Sequence, residues 1–172
     1  MTEFRSANSD DIPAIVALVE SAYRGDASRQ GWTTEADLLD GQRTDVVTVA
    51  TLIDTPGSQV LLAFEDGQLR GCAQVEVYAE VGYFGMFAVV PSAQGDGIGS
   101  KILAEAERRA RDRQGATVMT MTVISLRKEL IAYYQRRGYR ITGQSKPFPY
   151  GDERFGLPRR ADLEFIVLAK PL

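Results

Sequence analysis

Histidine is absent from this sequence, cysteine occurs once, and positive charge is in slight deficit; each shortage removes a class of chemistry. Without histidine the chain itself supplies neither a histidine-activated serine or cysteine nucleophile nor a zinc site built on His and Cys ligands, so no metal site is expected. Proton transfer then falls to carboxylates, tyrosine, lysine or water. Cys72 has no partner for an internal disulfide, which agrees with a reducing, cytoplasmic compartment. Twenty basic residues against 23 acidic give a formal charge of −3, so no global positive field gathers nucleic acid or anionic lipid. Small molecules or cationic groups are the expected partners. No run approaches the roughly 18 apolar residues of a membrane span, and Met1 to Arg5 lacks a basic region leading into an apolar stretch.

What is present fits one domain over residues 1–172, with 44% hydrophobic residues to fill a core. Ser9 Asp10 Asp11 Ile12 Pro13 supplies a capping oxygen and an early proline, and Ile12, Ile15, Val16, Val19 and Tyr23 then recur at helical spacing. Thr33 to Leu39 reads as a second, short helix with a threonine cap. From Gln59 the period changes. An apolar run to Phe64, a turn at Glu65 Asp66 Gly67 Gln68 and an alternating run from Leu69 to Tyr78 predict a hairpin, in which Cys72, Gln74, Glu76 and Tyr78 share one side. Tyr83 to Val90 predicts the next strand. A helix follows through about Asp112, with Ile98, Ile102, Leu103, Ala106 and Ala110 inward and Glu105, Arg108, Arg109 and Arg111 outward. Ala116 to Ile124, Ser125 to Arg137, Tyr139 to Thr142 and Leu163 to Leu168 then read as strand, helix, strand and strand. The order describes a mixed α/β or α+β sheet domain.

Between the strand ending Val89 Val90 Pro91 and the helix beginning at Ile98 lies Gln94 Gly95 Asp96 Gly97 Ile98 Gly99. Three glycines in six residues keep β-carbons away from a bound anion, and unpaired amides at a helix start sit at the positive end of its dipole. A phosphorylated ligand suits this turn. The spacing is neither a dinucleotide fingerprint, which would need glycine where Ser100 stands, nor a P-loop, because the order Gly99, Ser100, Lys101 is wrong for it.

About 40 residues beyond Gln94, Tyr134 and Gly138 close a helix in the pattern tyrosine, three residues, glycine, aromatic. The loop, the Val and Pro leading into it, and this second motif together resemble the GNAT superfamily of acetyl-CoA-dependent N-acetyltransferases, over roughly residues 60 to 142. The resemblance implies a strongly twisted mixed sheet of six to seven strands and about four helices, with two central parallel strands splayed apart. It implies acetyl-CoA as co-substrate, held by the backbone of Phe87, Ala88 and Val89 and by the loop Gln94, Gly95, Asp96, Gly97, Ile98 and Gly99, with Lys101 or Arg108 as possible helpers. Tyr134 would be the general acid that protonates the departing thiolate. Helical spacing of four from Leu126 and Leu130 points the same phenol inward. Many relatives carry an asparagine seven residues before the tyrosine. Here that position is Arg127, placed among the cofactor-binding residues, where it either binds CoA differently, for instance through its charge, or pairs elsewhere. Gln94 stands where arginine is more frequent.

The base that receives the amine proton is Glu76, Glu80 or a water held by one of them. Cys72 as an acetyl carrier is disfavoured, since nothing in the sequence lowers its pKa. The function implied is direct transfer of acetyl from acetyl-CoA to a primary amine in a ternary complex. The rivals are a CoA-binding regulatory or interaction domain without turnover and a nucleotide-binding module unrelated to CoA. The acceptor, a small-molecule amine or a protein or peptide amine, is expected near Tyr23, Trp32, Glu35 and the segment Phe148 to Phe155. A homodimer is compatible with the resemblance, and neither nucleic acid nor membrane is an expected partner.

Overall fold

Asn8 and Asp11 cap each other's backbone before Pro13, and this reciprocal box starts the first long helix. The computed structural model describes residues 1–172. Its elements are β1 (Glu3–Ser6), α1 (Ile12–Tyr23), β2 (Leu39–Asp40), α2 (Val46–Asp54), β3 (Ser58–Glu65), β4 (Gln68–Tyr78), β5 (Val81–Val89), α3 (Ile98–Gln114), β6 (Val118–Ile124), α4 (Lys128–Gln135), β7 (Arg140–Pro147), β8 (Leu157–Pro158) and β9 (Glu164–Pro171). Seven strands form one sheet in the order β1-β3-β4-β5-β6-β9-β7, and β2 pairs with β8 apart from it. Every pairing in the large sheet is antiparallel except β5 with β6.

Both faces of the sheet are covered, which is why the β3 run Val60 Leu61 Leu62 Ala63 is apolar without alternation. Val60 and Leu62 pack with Ile15 and Val19 of α1 and Val49 of α2 on one face. Leu61 and Ala63 pack with Ile98, Ile102 and Ala106 of α3 and Leu130 and Tyr134 of α4 on the other.

The feature that positions the site is where pairing stops. The parallel ladder joins only Val81, Gly82 and Tyr83 to Val118, Met119 and Thr120. Beyond it β5 stays with β4 as far as Gly71 opposite Val89, while β6 stays with β9 as far as Ile124 opposite Phe165. The two parallel strands therefore diverge into a wedge-shaped gap. A bulge sharpens the divergence: Gln74 lies opposite Gly85 and Cys72 opposite Ala88, so Met86 and Phe87 share the place facing Ala73. Met86 takes a positive φ of 43° there, a backbone state costly for a side chain and typical of strained functional positions.

Two expectations are corrected, and one helix is added. Thr33 to Leu39 is not a helix but a series of turns entering β2. The Glu35 amide bonds the carbonyl of Tyr23, and its carboxylate is held by two arginines. A helix forms instead over Val46–Asp54, where Asp45 accepts from the Thr48 amide at 2.7 Å; its β-branched residues gave little helical signal. Arg109, expected outward, is buried and bonds Glu105, Ser6 and Gln59.

Candidate active site

α4 delivers Tyr134 into the gap between β5 and β6. The ring is buried, edge-on to Phe84 with centroids 6.5 Å apart, and also edge-on to Tyr133 and Tyr139. Burial pushes the Tyr134 hydroxyl well above the ordinary tyrosine pKa, so it stays protonated and able to donate. It faces a cavity of about 540 Å³ that Tyr23, Glu35, Gln74, Met86, Arg127 and Phe148 also line.

A second cavity, of about 260 Å³, lies at the glycine turn between Trp32, Val89, Gly97, Gly99, Tyr133 and Arg137. Gly95 and Gly97 take φ values of 100° and 82°, and α3 starts without a side-chain cap. The amides of Gly95, Gly97, Ile98, Gly99 and Ser100 find no acceptor in the backbone. Of these residues Gly95, Gly97, Gly99 and Ser100 line the cavity, at the positive end of a 17-residue helix. A β-carbon at Gly99 would meet Phe87 Cζ and the Tyr133 hydroxyl at 3.0 Å, so the turn is packed closely beneath the open side. The Arg137 guanidinium lies over the Tyr133 ring at 3.4 Å and bonds Ser100 Oγ, which adds positive charge beside the amides. These donors fit a pyrophosphate.

Between the two cavities runs the free edge of β5. The Val90 amide bonds Arg70 on β4, so strand alternation turns the backbone of Val89 toward the gap. The carbonyl of Val89 accepts from Gln94 Nε2 at 3.1 Å, and that of Phe87 accepts from the Tyr23 hydroxyl. By the same alternation the Val89 amide points along this edge. Ala88 is paired with Cys72 of β4.

A buried polar chain joins the turn to the larger cavity. Gln94 Nε2 donates to Thr33 Oγ1 at 2.7 Å. Arg127 donates to the Thr33 carbonyl and, at 3.0 Å, to Glu35 Oε2. Arg24 donates to Glu35 Oε1 at 2.6 Å. Burial opposes charge on Glu35, but Arg127, Arg24 and Arg43 outweigh it and hold the carboxyl below its usual range.

The structure thus brings Tyr134, Phe87, Val89 and the glycine turn around one gap. Gln94 and Arg127 are at the site with their polar atoms engaged inside the protein, and Arg127 lines the larger cavity rather than the one at the turn. Glu76 accepts from Gln74 Nε2 at 3.1 Å; Gln74 lines the cavity and Glu76 stands behind it. Lys101 turns to Thr2 and Glu65, and Arg108 to Glu105, away from both cavities. Tyr23, Glu35, Phe148 and Phe155 meet at the larger cavity, whereas Trp32 stacks near Tyr133 at the smaller one. Sequence reasoning missed Thr33, Ser100 and Arg137; the one available signal was Arg136 Arg137 next to Gly138.

A splayed parallel pair with an amide-rich turn at its mouth and a buried tyrosine in its cleft defines the acetyltransferase class of mixed α/β folds. The pattern of the Acetyltransferase (GNAT) family matches residues 17–139, and the chain belongs to that family. Among solved structures, the ribosomal-protein-S18-alanine N-acetyltransferase of Escherichia coli has a TM-score of 0.72 at 17% identity, with 99% of this chain and 94% of that one covered. The ribosomal-protein-alanine N-acetyltransferase of Brucella melitensis gives 0.71 at 21% identity and 99% of each chain. A putative acetyltransferase from Salmonella typhimurium, solved with acetyl-CoA, gives 0.71 at 20% identity, with 100% and 94% covered. No curated protein sequence matches this chain.

Proposed function

We propose that this chain, acting as one transferase unit over residues 1–172, moves an acetyl group from acetyl-CoA to a primary amine by direct attack in a ternary complex. One observation carries the reading: where β5 and β6 part, Phe87 on the free edge of β5 lines both the cavity at the glycine turn and the cavity that holds Tyr134. The amides of Gly95, Gly97, Ile98 and Gly99 hold the pyrophosphate, and those of Phe87 and Val89 hold the pantetheine arm. The thioester then lies beside Tyr134.

The amine nitrogen attacks the thioester carbonyl, a C–N bond forms and the C–S bond breaks. Tyr134, kept protonated by burial, donates to the departing sulfur. The amine proton leaves through water toward Glu76, which Gln74 holds behind the cavity wall. Arg127 supports donor binding through Thr33, the residue that fixes Gln94. Asp96, exposed between two left-handed glycines, shapes the turn through its backbone. Cys72 plays no covalent part, because burial pushes its thiol up to about 12. Its buried, unpaired state supports a cytoplasmic setting, and no helix is long and apolar enough to cross a membrane. Thiol release from acetyl-CoA over a panel of amines tests the proposal: amine-dependent release supports it, and tight CoA binding with no release across the panel points to a binding domain.

A further inference from the structure

The larger cavity is cationic although the chain as a whole is acidic. Its lining holds Arg24, Arg43, Arg127 and Lys146 against a single carboxylate, Glu35. Both oxygens of Glu35 are already used, Oε1 by Arg24 and Oε2 by Arg127. That leaves Arg43 and Lys146 in surplus, and of the two Arg43 stands beside the Glu35 cluster. Its guanidinium lies against the Tyr23 ring, 5.5 Å from the centroid, with no carboxylate partner, while Arg127 lies 5.6 Å from the same ring. The loop that carries Arg43 is fixed from behind, since Glu20 accepts from the amides of Arg43 and Thr44 at 2.6 and 2.8 Å. The backbone is therefore anchored, while the guanidinium rests on the Tyr23 ring without a carboxylate to neutralise it. A second donor is unspent: Nε of Arg24, whose side chain is 5% exposed, has no acceptor in the protein. Buried donors of this kind are costly unless a ligand completes them.

Resting on the acetyltransferase reading, we propose that the acceptor is an amino acid, whose carboxylate binds Arg43 and the unspent Arg24 donor while its amine points toward Tyr134. The Tyr23 ring sits between the two ends of this arrangement: the guanidiniums flank its face and its hydroxyl bonds Phe87 of the donor edge. An amine without an anionic group leaves the surplus charge unmatched and loses a charge-assisted, bidentate contact. Phe84, Phe148, Phe155 and Leu52 give the rest of the cavity an apolar wall for the amino-acid side chain. Nitrogen attack forms the amide bond, the thioester C–S bond breaks, and the products are an N-acetyl amino acid and CoA with its thiol reprotonated.

The test uses matched pairs, free L-amino acids and their carboxamides, in the thiol-release assay, together with calorimetry of N-acetyl amino acids added to the enzyme–CoA complex. The expected result is a kcat/KM at least about tenfold higher for the acid than for its amide. Arg43→Met should erase that difference through KM, and Arg43→Lys should restore part of it, with CoA binding unchanged as the check on folding. Equal or better turnover of amides overturns the inference and leaves acetyl transfer standing. If no amine is turned over, N-acetyl amino acids that bind wild type and fail to bind Arg43→Met support the anion site and place the failure in the transfer reading. Absence of that binding overturns the inference.

Discussion

Thr33 and Gln94 exchange two hydrogen bonds: Thr33 Oγ1 accepts from Gln94 Nε2 at 2.7 Å, and the Thr33 amide donates to Gln94 Oε1 at 3.3 Å. The residue that opens the glycine turn thus serves as a staple to the segment after α1. Its side chain does not face the smaller cavity as a free ligand group.

Gln94→Ala should therefore weaken acetyl-CoA binding indirectly, by loosening the turn. Loss of the staple is worth about 1–3 kcal/mol, or at most roughly 5- to 150-fold in acetyl-CoA KM. Gly31→Ala should do the same, because a β-carbon there would sit 2.3 Å from Gln94 Oε1 and expel the side chain. Calorimetry with CoA reads both.

Gly97→Val should abolish CoA-dependent thermal stabilisation. No atom lies within 4 Å of a β-carbon at Gly97, so the cost comes from its φ of 82°, about 1–2 kcal/mol for an L side chain, and from the bulk placed at the anion site. An unchanged thermal shift with CoA would remove this turn as the phosphate site.

Glu35→Gln should destabilise the fold by about 3–5 kcal/mol in urea unfolding, since it leaves Arg24 and Arg127 buried without their counter-charge. The wild-type carboxyl is held below its usual range, so the unfolded chain takes up protons first as pH falls. Its contribution is full above the ordinary carboxylate range and is lost as pH drops through the lowered folded value. Glu105, held down to about 2 by Arg108 and Arg109, adds to the same acid loss between about 4.5 and 2. The Glu35→Gln protein should show a shallower decline over that window.

Cys72 should resist alkylation in the native protein at pH 8 and react only on unfolding, because its thiol is buried and pushed up to about 12.

Much of this architecture is legible in the chain. Unbroken apolar runs such as Val60 to Ala63 signal a doubly covered strand, and Gly97 and Gly115 bracket α3 with left-handed backbone at both ends. Tyr134 is legible because helical spacing aims it at the sheet. What escaped depends on partners distant in sequence. Thr34 and Glu35 carry local helix signals, yet Glu35 is claimed by Arg24 and by Arg127, 92 residues away, and tertiary charge pairing overrides local propensity. Arg109 reads as an outward helix residue until Ser6 and Gln59 close over it. The cationic cavity was hidden because Arg24, Arg43, Arg127 and Lys146 are scattered through an overall acidic chain.

The most direct test of the central claim is single-turnover thiol release by Tyr134→Phe, with CoA affinity measured beside it. The account predicts unchanged CoA affinity and a rate lower by about 10²- to 10³-fold, the scale of a lost general acid. Because burial keeps the wild-type hydroxyl protonated, the deficit should be the same from pH 6 to 9. Equal rates in the two proteins would contradict it.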